Sequence, residues 1–154
     1  MLDLNTFKMV VENTPLISID FIVKNSDNKI LLGKRLNKPA CDFLFTLGGR
    51  VYKDEKLENA KKRILKDEVG LDLEKYNPKF LGVFEHFYND SFMDDDDDIT
   101  THYVNLAYEI NVSHIQDLPK KQHNEYLWLS LDEIMNSLTV HKYVKDYFKL
   151  GVQK

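Results

Sequence analysis

The sequence predicts an α/β sandwich built around a mixed β-sheet with packed helices. Three observations carry this expectation. Apolar, β-rich runs recur along the chain, an amphipathic helix follows a glycine pair, and two further helical stretches come near the end. Residues 4–12 place Phe7, Val10 and Val11 at helical spacing and predict a short helix. Residues 16–23 (LISIDFIV) read as a strand interrupted by one carboxylate, Asp20. The turn signal Asn25-Ser26-Asp27-Asn28 separates it from a strand at 30–33, so a β-hairpin is expected. A short strand at 43–46 leads into Gly48-Gly49-Arg50. Residues 57–69 put Leu57, Ala60, Ile64 and Leu65 on one face, and Gly70 is a natural stop. Long strands are expected at 80–88 and 103–110, a short one at 126–129, and helices near 131–138 and 143–150.

A chain of 154 residues suits one domain, spanning 1–154, with a real core. The formal net charge of -4 argues against bulk nucleic-acid binding, which needs many cationic contacts to phosphate. No apolar run approaches the roughly 18 residues that cross a bilayer, and the first residues lack a basic, then apolar, leader. The single cysteine, Cys41, cannot form an internal disulfide. Together these point to a cytoplasmic protein with a small-molecule ligand and no membrane partner.

The chemistry concentrates in one segment. Gly49 is followed by Glu55, then Arg63, Leu65, Glu68, Gly70 and Leu71, in register with the pattern G-x5-E-x7-R-E-U-x-E-E-x-G-U, where U is aliphatic. A glycine loop lets backbone groups approach a diphosphate, and the following helix presents carboxylates to a divalent cation. Two positions depart from the pattern. Ile64 stands where the Nudix hydrolases, whose signature the segment resembles, usually have the first glutamate of the metal cluster. Asp67 stands where they usually have the second, so the resemblance implies a site built for fewer metals.

This segment resembles the signature of the Nudix hydrolases, and implies their α/β/α sandwich. Further stretches resemble the GDP-mannose mannosyl hydrolase branch: Asp20-Phe21-Ile22-Val23, Leu32-Gly33-Lys34-Arg35, Gly48-Gly49-Arg50-Val51, His86-Phe87-Tyr88, Thr100-Thr101-His102-Tyr103-Val104 and Gln122-His123. The chain departs from that branch in having Leu44 and Leu47 around the start of the glycine loop. The run of five aspartates, Asp94 to Asp98, reads as a solvated loop.

The resemblance implies Mg²⁺-dependent hydrolysis of GDP-mannose or GDP-glucose to GDP and free sugar, by attack at sugar C1 with inversion. It implies that Gly48 (through its carbonyl), Glu68 and Gln122 hold the metal, and that His123 is the general base. Arg35 and Arg50 would bind the diphosphate and stabilise its departure. Asp20 and His86 would lie near the sugar, with Tyr103 reaching the diphosphate. Phe7 and Leu2 would contact the guanine, in a homodimer. His102, His114 and His141 receive no role. Two alternatives stay open: a conventional pyrophosphohydrolase acting on a nucleotide sugar or nucleoside triphosphate, and a nucleotide-sugar sensor without catalysis.

Overall fold

The computed structural model describes residues 2–90, 98–113, 118 and 123–149, the side chains of 123 and 124 excepted. Gln122, His114 and Asp94 to Asp97 therefore lie outside the described residues, as does the side chain of His123. The chain runs through α1 (Leu4–Asn13), β1 (Leu16–Lys24), β2 (Ile30–Arg35), β3 (Leu44–Phe45), β4 (Leu47–Arg50) and α2 (Leu57–Val69). It continues through β5 (Lys79–Tyr88), β6 (Thr101–Asn111), β7 (His123–Leu129), α3 (Leu131–Asn136) and α4 (Lys142–Asp146).

The strands form a mixed seven-stranded sheet with the main order β3-β2-β1-β6-β5; β4 pairs with β1 and β7 with β2. Central β1 is buried along almost its whole length, which explains its near-continuous apolar sequence. Its alternate side chains feed opposite layers. Ile19, Phe21 and Val23 pack with Ala60, Ile64, Leu65 and Val69 of α2, whereas Ile22 packs with Ile134 of α3 and Val144 of α4. Helices therefore cover both faces, and the expected α/β/α sandwich is the observed one.

The expected hairpin forms, with β1 and β2 antiparallel neighbours, but it is short. β1 and β2 share a single register pair, Lys24 with Ile30, beside the turn in which Asn28 takes a positive φ of 60°. Beyond that pair the strands part. β1 runs parallel to β6 and antiparallel to β4, while β2 takes β3 and β7. The competing partners win because each offers a longer ladder than the turn alone secures. Residues of the parted strands line the main cleft.

The helices follow local rules. Asp3 caps α1 by accepting from the Thr6 backbone N–H at 3.1 Å. α2 ends where Gly70 adopts φ 78°, the left-handed position favoured at a helix C-terminus. Leu57, read from the sequence as a core-face residue, is 46% exposed because it sits in the first turn, beyond the sheet. α3 carries a capping box between Ser130 and Glu133 and stops at Asn136, earlier than the periodicity implies. Leu138 beyond it projects into solvent, and α4 is a five-residue helix, shorter than expected.

Candidate active site

The glycine loop and α2 meet at close quarters. A Cβ on Gly48 would collide with a carboxylate oxygen of Asp20 and the backbone oxygen of Ile19, so only glycine fits there. A Cβ on Gly49 would stand 3.2 Å from Cγ1 of Ile64. Ile64 is 1% exposed, so the position that the signature gives to a carboxylate is filled by a core side chain beneath the loop. One turn farther along α2, Glu68 is 7% exposed and lines the cleft, and the neighbouring Asp67, which is exposed, also reaches its wall. Burial raises the Tyr126 phenol above its ordinary range, and the Glu68 charge nearby adds to the effect.

Two signature residues do structural work on the loop. Arg63 forks onto Glu55, Nε to Oε1 at 2.8 Å and Nη2 to Oε2 at 2.9 Å, and Nη2 also donates to the Arg50 carbonyl at 2.8 Å. The other face of the pin is closed by the Tyr52 backbone N–H, which donates to Glu55 Oε2 at 3.0 Å. The Arg63 hydrogen bonds hold the Glu55 carboxyl below its usual range despite opposing desolvation. Arg63→Ala is expected to lower unfolding stability by about 1–3 kcal/mol, measured by urea denaturation, because a half-buried charged fork is lost. A depressed carboxylate contributes stability above its unfolded pKa, and that contribution disappears as pH falls through the folded value.

A single cleft of about 1480 Å³ gathers the side chains that the sequence singles out. Asp20, Arg35, Arg50, Glu68, His86 and Tyr103 line it, together with Gly48 and the N-terminal pair Leu2 and Phe7. Phe7 lies under the Arg50 guanidinium of its own chain, 4.0 Å from ring centroid to Cζ. Arg35 Nε is buried and has no hydrogen-bond partner among the described residues. An unsatisfied guanidinium donor in a cleft is suited to an anionic oxygen. The backbone of His123 pairs with that of Arg35 across β7 and β2, which brings this position to the same strand end. Burial raises the Tyr103 phenol, with Arg50 and Arg35 pulling in the opposite direction.

Asp20 is paired, as a buried carboxylate must be. Its Oδ2 accepts from Thr46 Oγ1 at 2.9 Å and from the Tyr147 hydroxyl. The same hydroxyl lies 3.1 Å from Asn105 Oδ1 and 3.4 Å from His86 Nε2, and Asn105 Nδ2 donates to Ser18 Oγ at 2.7 Å. His86 stacks on Tyr143 with ring centroids 4.4 Å apart. Burial lowers its pKa against the opposing charges of Asp20 and Asp146, so the ring is neutral near pH 7. Thr46, Asn105, Tyr143 and Tyr147 carry no role in the sequence reading. The one available signal was two tyrosines four residues apart in the last helical stretch, which share a helix face.

His141 caps α4, its Nδ1 accepting from the Tyr143 backbone N–H at 3.2 Å. Burial, then the neighbouring Lys142, pushes its pKa down to about 4. Its unfolded counterpart titrates near 6.5, so the unfolded chain takes up the proton first on acidification. Stability is therefore expected to fall as pH drops from about 6.5 towards 4. His141→Asn keeps an N-capping side chain and should flatten this part of a melting-temperature profile against pH.

Metal fit follows from the donors present. Among the described residues, no three His, Cys, Asp or Glu side chains converge as a metal cluster. Glu68 beside the glycine loop, completed by neutral oxygen donors, fits one hard divalent cation that keeps water or substrate oxygens in its shell.

Comparisons with known proteins agree with this geometry. The NUDIX domain family model matches residues 14–150. The low-salt glycan biosynthesis protein Agl8 of Haloferax volcanii is 36% identical over 106 residues, covering 69% of this chain and 65% of that protein. The MutT protein of Methanosarcina mazei superposes with a TM-score of 0.71 at 21% identity, over 92% of this chain and 96% of that one. The NUDIX domain of Shewanella oneidensis NrtR, solved with ADP ribose, gives 0.68 at 16% identity, over 99% and 93%. The match across 14–150, laid over a glycine loop, the Glu55–Arg63 pin and Glu68 in one cleft, places this chain in the NUDIX domain family, that of the Nudix hydrolases.

Proposed function

We propose that this Nudix hydrolase cleaves GDP-mannose, or GDP-glucose, at sugar C1 to give GDP and the free sugar with inversion. The observation that carries the reading is Ile64, buried against Gly49 where a phosphorus-directed metal cluster would need a carboxylate. A site with fewer metal ligands is better matched to stabilising a departing diphosphate than to activating water at phosphorus. The relative named for glycan biosynthesis is in keeping with a nucleotide-sugar substrate.

In this reading Arg35 and Arg50 fork onto the diphosphate, and the unpartnered Arg35 Nε finds its acceptor there. Glu68, the Gly48 carbonyl and Gln122 would hold Mg²⁺, which when bound supplies positive charge to the leaving group. His123 takes a proton from a water whose oxygen bonds to C1 as the C1–O bond breaks, and GDP departs with that electron pair. Asp20 and the neutral His86 lie at the floor of the cleft, where a carboxylate opposes cationic charge developing on the sugar. Leu2 and Phe7 are the candidates for contacting the guanine, and a homodimer belongs to the same proposal.

The test is ¹H NMR of GDP-mannose incubated with the protein and Mg²⁺. The reading expects GDP and free mannose, with the β-anomer first to appear from the α-linked substrate. One observation favours a second reading: Asp67 lines the cleft beside Glu68, and two carboxylates on one helix turn suit a pyrophosphohydrolase. That enzyme would yield GMP and mannose 1-phosphate. Binding with no product from any nucleotide sugar would instead mean a sensor.

A further inference from the structure

We propose that Tyr147 is a positioning residue, which holds Asp20 by its hydroxyl proton and fixes His86 as the Nε2–H tautomer at the floor of the cleft. The proposal rests on the reading above for its catalytic consequence, but its geometry is independent of the substrate. Tyr147 follows α4 and is fully packed, with 3% exposure, yet its hydroxyl reaches a carboxylate 127 residues away. The phenol has one proton and four polar neighbours among the described residues, and one of them, Thr46, already gives its own hydroxyl proton to Asp20 Oδ2. Asp20 Oδ2 and Asn105 Oδ1 are both acceptors, and the carboxylate is the stronger. No proton remains for His86 Nε2 at 3.4 Å, so that nitrogen must bring its own and donate to the phenol oxygen.

The chain is then directional: His86 Nε2–H to Tyr147 O, and Tyr147 O–H to Asp20. It commits the other ring nitrogen, Nδ1, to acceptor character and leaves Asp20 Oδ1 beside Gly48. The supports are rigid. Tyr143, one helical turn before Tyr147, stacks on His86, donates to the Phe87 carbonyl at 2.7 Å and accepts from the Phe87 N–H at 2.8 Å. Phe84 meets the Tyr147 ring edge-on at 4.7 Å, a contact that depends on the ring and not on the hydroxyl. Tyr147→Phe therefore removes the hydrogen-bond chain and keeps the packing.

The experiment is a long-range ¹H–¹⁵N spectrum of the histidine rings, recorded without substrate at pH 7.5 for the wild-type chain and Tyr147→Phe. His86 is assigned by its absence in His86→Gln. The wild type should show His86 as the Nε2–H tautomer, and the variant should lose that preference. In parallel, hydrolysis of GDP-mannose with Mg²⁺ should show kcat reduced about tenfold, the loss of a hydrogen bond to a charged group, with KM changed less than about twofold. A wild-type His86 in the Nδ1–H form, or a variant with an unaltered ring spectrum, overturns the assignment. An altered tautomer with unchanged kcat overturns the positioning role. If the wild type leaves GDP-mannose intact, the substrate reading fails while the ring spectra still decide the tautomer.

Discussion

Glu68→Gln should lower turnover of GDP-mannose by about 10²–10³-fold, because a divalent cation at a departing diphosphate is worth several kcal/mol and each 1.36 kcal/mol is about tenfold. The substitution keeps the side-chain volume of a residue that is 7% exposed, so the fold should persist. Its cause can be separated from unfolding. Mg²⁺ should raise the melting temperature of the wild type, as a ligand that binds the native state does, and should raise that of the variant much less. Full activity and an undiminished Mg²⁺ effect would remove Glu68 from the site. Loss of activity with an intact Mg²⁺ shift would move the metal to Asp67, the other cleft carboxylate of α2.

The second large effect concerns His123. His123→Ala should reduce kcat by about 10²–10⁴, the usual worth of a positioned general base. The pH dependence carries the sign. A base acts as the neutral imidazole, so wild-type kcat/KM should fall as pH drops below about 6.5. The variant should lose that acidic limb while retaining whatever limbs other groups impose. An acidic limb that survives the substitution would assign it to another residue. Burial lowers the His86 pKa, so a limb from that ring would lie at lower pH than one from an ordinary imidazole.

How much of this was legible in the sequence differs by element. α2 runs over Leu57–Val69 as its spacing predicts, because helical periodicity and a left-handed glycine are local properties. The β1–β2 hairpin is legible from its turn, but its shortness is not. The turn at 25–28 is local, but the parting of the strands is set by β4, β6 and β7, which a turn signal does not encode. α4 was overextended because the apolar spacing of 143–150 persists, whereas the helix itself ends at Asp146.

The cleft shows the same division. Gly48, Arg50 and Glu68 sit in one motif whose spacing reflects one loop and one helix, Arg35 closes the separate β2 motif, and all four line the same cavity. Asp20 was conspicuous as a carboxylate in an apolar run, yet its partners were hidden. Thr46 and Tyr147 lie 26 and 127 residues away, and neither residue type stands out in its own segment. Glu55 and Arg63, by contrast, were visible as motif positions and turn out to be the loop's pin.

Cleavage at carbon is decided by incubating GDP-mannose with the chain and Mg²⁺ in ¹⁸O-labelled water. Mass spectra are predicted to show the label in free mannose and unlabelled GDP. Label in GMP or in mannose 1-phosphate would place the attack at phosphorus and rule out cleavage at carbon.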